Sequence, residues 1–541
     1  MFDALFTTTT EYKKLSHALS GKGACALFGL PASGRAQVYA ALCRQLDKPL
    51  CIVTPGEAEA TRFAADLNTL GIPTAVFPAR DYVLRPIEGT AREYEYRRLA
   101  VLGELVGGRL RAVAVPAEAL TQFTTPKEDF CANTRILHAG DTLLRDDLLA
   151  ALFGAGYTRR AQVDGPGQFS VRGDIVDIFA PDQKMPVRME FWGDEIDTLH
   201  TFDLTTQRRE DAIDKFYLSP AREVLFGKPA DAAEQLRAFL AKQRGKKKTA
   251  MADCMAADLD LLDGGAVPVN MDKYLAVRYP HPATVLDYFD DPILVAEEPA
   301  SIREADRATA YRRGEELKSL ILDGVLCAGL DNLYADPSYL WSKTGHYRTI
   351  CAENFARSMP DQPLKDIINT PAHALPAWNG EVAGLLEDLK PLCDAGYTVT
   401  LLAGTDRAAA GLARDLRDKG ILVTTDAAAA PAAGLVQVLA GHLSAGCEFP
   451  FAKYALLTGR AFGETSSQKK KRKKAKDALN SLTEITPGDL VVHQNHGIGR
   501  YAGIQRMAVQ GVTKDYLRIE YDKKDVLYVP VTQLDLLSRY T

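Results

Sequence analysis

Asp164-Gly-Pro-Gly-Gln-Phe-Ser-Val-Arg-Gly-Asp-Ile-Val-Asp-Ile-Phe-Ala-Pro181, then Pro186-Val-Arg-Met-Glu-Phe-Trp-Gly-Asp-Glu-Ile-Asp197 and Phe202-Asp-Leu-Thr-Thr-Gln207, is the stretch whose reading organises the chain. Gly-Pro-Gly, Arg-Gly-Asp and Trp-Gly-Asp-Glu are turn signals. They bound runs of apolar–polar alternation, the period-two mark of half-buried strands. From Gln168 to Arg172, one face takes Phe169 and Val171 and the other takes Gln168, Ser170 and Arg172. From Val187 to Trp192, one face takes Val187, Met189 and Phe191 and the other takes Arg188, Glu190 and Trp192. Arg and Trp are residue types that anchor protein interfaces. Arg172, Arg188 and Trp192 are therefore candidate docking residues. A solvated outer face with the Trp lying over its neighbours' stems has the same composition, and both readings stay open at this point.

Working outward, 541 residues leave room for about three to four domains. With 46% apolar and 25% charged residues, the composition is that of an ordinary soluble globular protein. A net charge of -5 gives no global attraction to nucleic acid, so a DNA contact would need a local patch. The nine cysteines form no Cys-x-x-Cys pair, which argues against a disulfide framework or zinc site and points to a reducing, cytoplasmic compartment. No apolar run approaches the length of a membrane span, and Met1–Thr10 has no signal-peptide pattern, so no membrane partner is expected.

Residues 22–115 alternate short apolar strands (Ala24–Phe28, Leu50–Thr54, Ala75–Phe77) with helical segments, a rhythm that predicts a mostly parallel sheet. The hairpin-rich segment reads as an insertion. The chain is expected to return to the first domain near Phe216–Val224 and to continue through helices, with Gly245–Lys248 as a basic loop. A second α/β unit begins near Pro363. In it, Gly404-Thr405-Asp406 can cap a helix whose apolar face carries Leu412 and Leu416 and which stops at Gly420. Lys469–Lys474 lies in a break and reads as a solvated linker, with a nucleic-acid tail as the alternative. From Ile485 the period becomes two again, with turns at Gln510-Gly511 and Asp522–Asp525, which predicts a small barrel. The expected domains are 1–118 with 215–345, then 119–214, 346–462, a linker at 463–484, and 485–541.

Gly29-Leu-Pro-Ala-Ser-Gly34-Arg35-Ala36 stands where a phosphate-binding loop belongs, between a strand and a helix. A working loop needs Lys for the outer phosphates and Ser or Thr for Mg²⁺. Arg35 and Ala36 replace both, so Gly29, Gly34, Arg35 and Ala36 read as a degenerate loop retained as a packing turn, with no ATP or Mg²⁺ expected. No apolar strand ending in an Asp-Glu pair follows. His493 and His496 have zinc-like spacing but no further ligand nearby, so no metal is expected. Arg97-Arg98 and Arg159-Arg160 read as solvated faces.

The 164–207 motif resembles the small domain shared by UvrB and the transcription-repair coupling factors. The resemblance implies that Arg172, Arg188 and the aromatic Trp192 bind the repair protein UvrA. Pro487-Gly-Asp-Leu-Val-Val-His-Gln-Asn-His-Gly-Ile-Gly-Arg-Tyr and Leu527-Tyr-Val-Pro-Val are similar to the Tudor-like domain of coupling factors and CarD regulators. That likeness implies binding to the RNA polymerase β subunit by a strand edge, with Gly503, Ile504, Arg506 and Met507 as contacts. UvrB itself keeps a functional phosphate loop and a long DNA-clamping hairpin, for which residues 77–93 leave no room. The resemblance thus implies an α/β multidomain chain. It comprises a UvrB-like, RecA-like domain with a degenerate loop and an inserted UvrA-binding domain, a second small α/β domain, and a Tudor-like barrel. The expected role is a non-catalytic adaptor, the N-terminal part of a coupling factor whose ATP-driven double-stranded DNA translocase lies beyond Thr541. The resemblance further implies that this length of chain binds UvrA more readily than the longer protein. A UvrB-like ATP-dependent damage-recognition protein and a CarD-type regulator are the alternatives.

Overall fold

The computed structural model describes residues 7–86, 92–355, 363–378, 382–430, 432–459, 486–493, 497–509, 512–521, 526–530 and 537–539. Short apolar runs line up as a seven-stranded, wholly parallel sheet. Its order is Leu364–Asn369, Gly23–Phe28, Arg348–Glu353, Ile293–Glu297, Leu50–Thr54, Ala112–Pro116 and Thr74–Val76. Alternate residues feed two cores: Cys25, Leu27, Leu50 and Ile52 pack on one face, and Ala24, Ala26, Cys51 and Val53 on the other. Helices cover both faces, as such sheets require. The edges are a three-residue strand and a strand carrying Lys365 and Asp366, devices that discourage further pairing. The sheet takes two strands from beyond residue 345, so it crosses the expected boundary there. The reason is that Arg348–Glu353 is itself a buried apolar strand.

The insertion builds a six-stranded sheet in the order Arg209–Ala212, Glu195–Phe202, Val187–Trp192, Ile175–Phe179, Gln168–Arg172 and Thr158–Arg159. The Arg145–Gly154 helix covers one side, where Leu148 and Leu152 meet Phe169, Val176, Met189 and Ile196. Lys215–Leu218 pairs antiparallel with Arg135–His138, so the insertion runs past the expected end at 214.

Charges buried where the insertion returns tie it to the first sheet. Glu223 is fully buried between Arg98 (Nε at 2.6 Å) and Arg80 (Nε at 3.1 Å). Arg80 also makes a two-pronged contact with Asp272, at 2.7 and 3.1 Å. Glu95 accepts the Glu223 backbone N–H at 3.0 Å. Burial opposes ionisation of Glu95, but Arg80, Arg92 and Arg222 outweigh it and hold the carboxyl down at about 2. Arg98 was expected on a solvated face. It is instead fully buried, stacked 4.1 Å over the Phe77 ring, because its counter-charge arrives from 125 residues further along the chain.

Gly245–Asp263 is one helix, so the basic run at 245–248 is a helix start and not a loop. It packs with Pro229–Ala241 and the 24-residue helix Pro299–Leu322 around Leu236, Met251, Met255 and Leu320. On the long helix, burial pushes the Asp306 carboxyl up to about 6 from 3.8, with Arg313 opposing. A raised carboxylate contributes stability while protonated and loses it as pH rises through its folded value. Asp306→Asn is therefore expected to raise the melting temperature at pH 7, with the gain vanishing near pH 4. Thermal melts at the two pH values check this.

The second α/β unit has six strands in the order His373–Leu375, Gly446–Phe449, Tyr454–Thr458, Thr398–Leu402, Val436–Leu439 and Val423–Thr424. Thr405 caps the Asp406–Asp418 helix by accepting from Ala408 N, Leu412 and Leu416 are buried, and Gly420 follows in the left-handed region. The C-terminal unit is a five-stranded antiparallel sheet in the order Val526–Pro530, Val512–Glu520, Gly497–Val509, Leu490–His493 and Leu537–Arg539. Val491, Tyr501, Leu517, Ile519, Val529 and Leu537 fill its core, and Arg518 and Glu520 pair outside at 2.6 Å. Among the described residues its two outer strands do not pair with each other, so the sheet is open where a closed barrel was expected. The turns at 510–511 and 522–525 and the run at 469–474 lie outside the described residues.

Candidate functional site

The side of the six-stranded sheet away from the Arg145–Gly154 helix carries one cross-strand row. Ser170 pairs with Asp177, Asp177 with Arg188, and Arg188 with His200. Asp177 is fully buried and holds both candidate arginines. It accepts from Arg188 Nε at 2.7 Å and Nη2 at 2.9 Å, and from Arg172 Nη2 at 2.5 Å. Arg188 also donates to Gln207 O at 3.2 Å and lies 4.7 Å over the Phe202 ring. Its hydrogen bond to Asp177, opposed by burial, raises its pKa and keeps it charged.

The sequence placed Arg188 on a wet face, but the residue is only 9% exposed, because Phe202 and the chain at Gln207 fold over it. Arg172 keeps 46% of its side chain exposed. Trp192 is 82% exposed. It stands four residues beyond Arg188 on the same strand, roughly 13 Å away at the usual strand rise. Between them Glu190 is taken up by an ion pair with Arg209. The arrangement leaves Arg172, anchored on Asp177, as the exposed cation and the Trp192 ring as an exposed aromatic, with Arg188 buried behind them. Asp177 is a residue the sequence reading missed: it stands opposite Arg188 and diagonal to Arg172, which only the strand register reveals.

In the C-terminal unit Ile504 is exposed and pairs with Leu517, and Gly503 has φ +114° beside a register shift. Leu490–His493 pairs with residues 497–500 of the Gly497–Val509 strand and, on its other side, with Leu537–Arg539, and does not reach residues 504–509. Among the described residues, the strand from 504 to 509, which includes Arg506 and Met507, is thus paired on one side only and presents a free edge. His493 is buried 3.8 Å from Glu93 of the first domain, and His496 lies outside the described residues. Among the described residues no group of three or more His, Cys, Asp or Glu side chains is placed to hold a metal.

The phosphate-loop position is filled by the protein itself. Gly29 has φ +85°, and a Cβ there would fall 2.9 Å from Asn369 Oδ1 and 3.0 Å from Thr370 O. Gly34 lies under the second α/β unit, where a Cβ would meet Cys447 Sγ at 2.9 Å. Ser33 donates to Gly446 O at 3.2 Å, and Ala36 is buried. Arg35 pairs with Glu297 at 3.0 Å and Glu298 at 2.9 Å, and Tyr39 donates to Glu297 at 2.5 Å. Burial pushes the Glu297 carboxyl up, against the pull of Arg35. Ile293–Glu297 followed by Glu298 is an apolar strand ending in two carboxylates, Glu-Glu in place of the Asp-Glu pair expected of a nucleotide site. Here those carboxylates neutralise the loop's own cation.

Residues 136–224 match the family model of the UvrB interaction domain, and residues 485–541 that of the CarD-like/TRCF RID domain. The chain is 28% identical over 529 residues to the transcription-repair-coupling factor of Bacillus subtilis (strain 168), which covers 95% of this chain and 45% of that protein. It is 26% identical over 530 residues to the protein of the same name from Staphylococcus haemolyticus (strain JCSC1435), with the same coverage of both chains. It therefore spans a little under half the length of these relatives. With the first model falling on the six-stranded sheet and the second on the open-edged C-terminal sheet, the chain is similar to the transcription-repair-coupling factors along 95% of its own length.

Proposed function

We propose that this chain joins two partners: UvrA, through Arg172, Arg188 and Trp192, and the β subunit of RNA polymerase, through the edge at Gly503, Ile504, Arg506 and Met507. The observation that carries the reading is the pairing of two arginines on one buried carboxylate, beside an exposed tryptophan, in a chain that also presents a free strand edge. An added strand from a partner would satisfy that edge's backbone groups. The C-terminal sheet is read as part of a Tudor-like barrel, and the domains as one host α/β unit, its insertion, a second α/β unit, a basic linker and the polymerase-binding unit.

The chain acts in the cytoplasm by raising the local concentration of one partner near the other. It neither binds nor hydrolyses ATP, because Glu297 and Glu298 face the one cation of the loop and the second α/β unit covers its helix. ATP, Mg²⁺ and double-stranded DNA belong to the translocase part of the longer family proteins. Among the described residues no helix is long and apolar enough to cross a membrane.

The test is binding of wild type, Arg172→Ala and Ile504→Asp to immobilised UvrA and to RNA polymerase. Arg172→Ala is expected to lose UvrA and keep polymerase, and Ile504→Asp the reverse. Unchanged binding of both partners by both variants would sink the adaptor reading.

A further inference from the structure

The Gly245–Asp263 helix carries Lys247, Met251 and Cys254 at spacings of four and three, so they share a face. The chain from 325 to 329 runs along that face. A Cβ on Gly329 would fall 3.2 Å from Met251 Cε and 3.4 Å from Lys247 Nζ, and the Cys254 thiol donates to Val325 O at 3.0 Å. Cys327 lies between these two contact points in the chain, in the same core cluster that Cys254 packs against. Lys273 places a buried cation alongside, its Nζ 3.1 Å from Cys254 O and 2.5 Å from Asp258. Cys254 is half-buried and Cys327 buried.

We propose that Cys254 and Cys327 form a thiol–disulfide switch, Cys254 attacking a low-molecular-weight disulfide and Cys327 resolving the adduct. The two thiols differ in the way such a pair requires. The neighbouring Cys327 thiol brings Cys254 down to about 7, against burial and with help from Lys273, while Cys254 in turn raises Cys327. Burial instead pushes up Cys25, Cys51, Cys351, Cys393 and Cys447.

The reaction balances. The Cys254 thiolate attacks one sulfur of RSSR, the S–S bond breaks, and RS⁻ leaves and takes up the proton that Cys254 released. Cys327 then gives up its proton, attacks the Cys254 sulfur and expels the second RS⁻, which leaves as RSH. Two protein thiols are oxidised and one RSSR is reduced to two RSH. The new bond ties the Gly245–Asp263 helix to the segment that follows the Pro299–Leu322 helix.

The experiment incubates the full chain with glutathione disulfide, then alkylates, digests and weighs the peptides. Wild type is expected to yield a linked 254–327 peptide pair. Cys327→Ser is expected to stop at a Cys254–glutathione adduct, and Cys254→Ser to give neither product. At pH 7 without oxidant, Cys254 should alkylate roughly five-fold faster in wild type than in Cys327→Ala. About half of the thiol is ionised against roughly one part in a hundred at the ordinary value of 9.0, and lower intrinsic nucleophilicity takes back about ten-fold. A wild-type adduct that persists without cross-linking, or both thiols remaining free to alkylate, would overturn the proposal.

Discussion

Glu223→Ala is expected to lower stability by about 3–5 kcal/mol, the cost of removing one partner from a buried ion pair. The mutated carboxylate is fully buried and serves Arg98 and Arg80 together. Among the described residues Arg98 has no other carboxylate at hydrogen-bond distance; its remaining partners are Pro78 O at 3.1 Å and Gln122 Oε1 at 3.0 Å. Its charge would be left in a site with no exposure to water. Glu223→Gln keeps an acceptor and should cost less. Denaturant unfolding of the two variants checks the order. A loss under about 1 kcal/mol for the alanine variant would mean that water enters and solvates the arginines.

Trp192→Ala is expected to leave the fold unchanged within about 0.5 kcal/mol, because its side chain stands out in solvent. It should nevertheless weaken UvrA binding by about 2 kcal/mol or more, roughly a 30-fold rise in Kd, as truncation at a buried interface centre does. The contrast between intact melting and lost affinity is the informative result. Affinity within about 0.5 kcal/mol of wild type would reduce Trp192 to an ordinary surface residue.

What was legible in the sequence was whatever repeats at short range. Period two placed Phe169, Met189, Leu517 and Ile519 inside and Trp192 outside, because strand side chains alternate whatever their neighbours are. Thr405 and Gly420 marked the ends of a helix by local backbone chemistry alone. The misses came from partners distant in sequence. Arg98 reads as a surface residue until Glu223 is brought to it, and Arg188 reads as wet until Phe202 and Gln207 close over it. Asp177 needed the register of three strands to reveal that it serves two arginines. The five C-terminal strands were each recognisable, but whether they close depends on pairing between their outermost members. Glu297 and Glu298 differ from these cases. Their signal is local, two adjacent carboxylates at the end of an apolar strand.

The insertion's attachment to its host has a mechanical consequence. Its outgoing and returning stretches are clasped together at the boundary: Thr125 donates to Glu223 O and Tyr157 donates to Ser219 O at 2.7 Å, while Gln122 Oε1 accepts from Arg98 of the host helix. A load on the insertion's sheet is therefore shared by both stretches, since each is bonded to the other where it meets the host. The docking sheet is a handle with two roots in one anchorage, able to transmit tension to the host domain without first unravelling at its base.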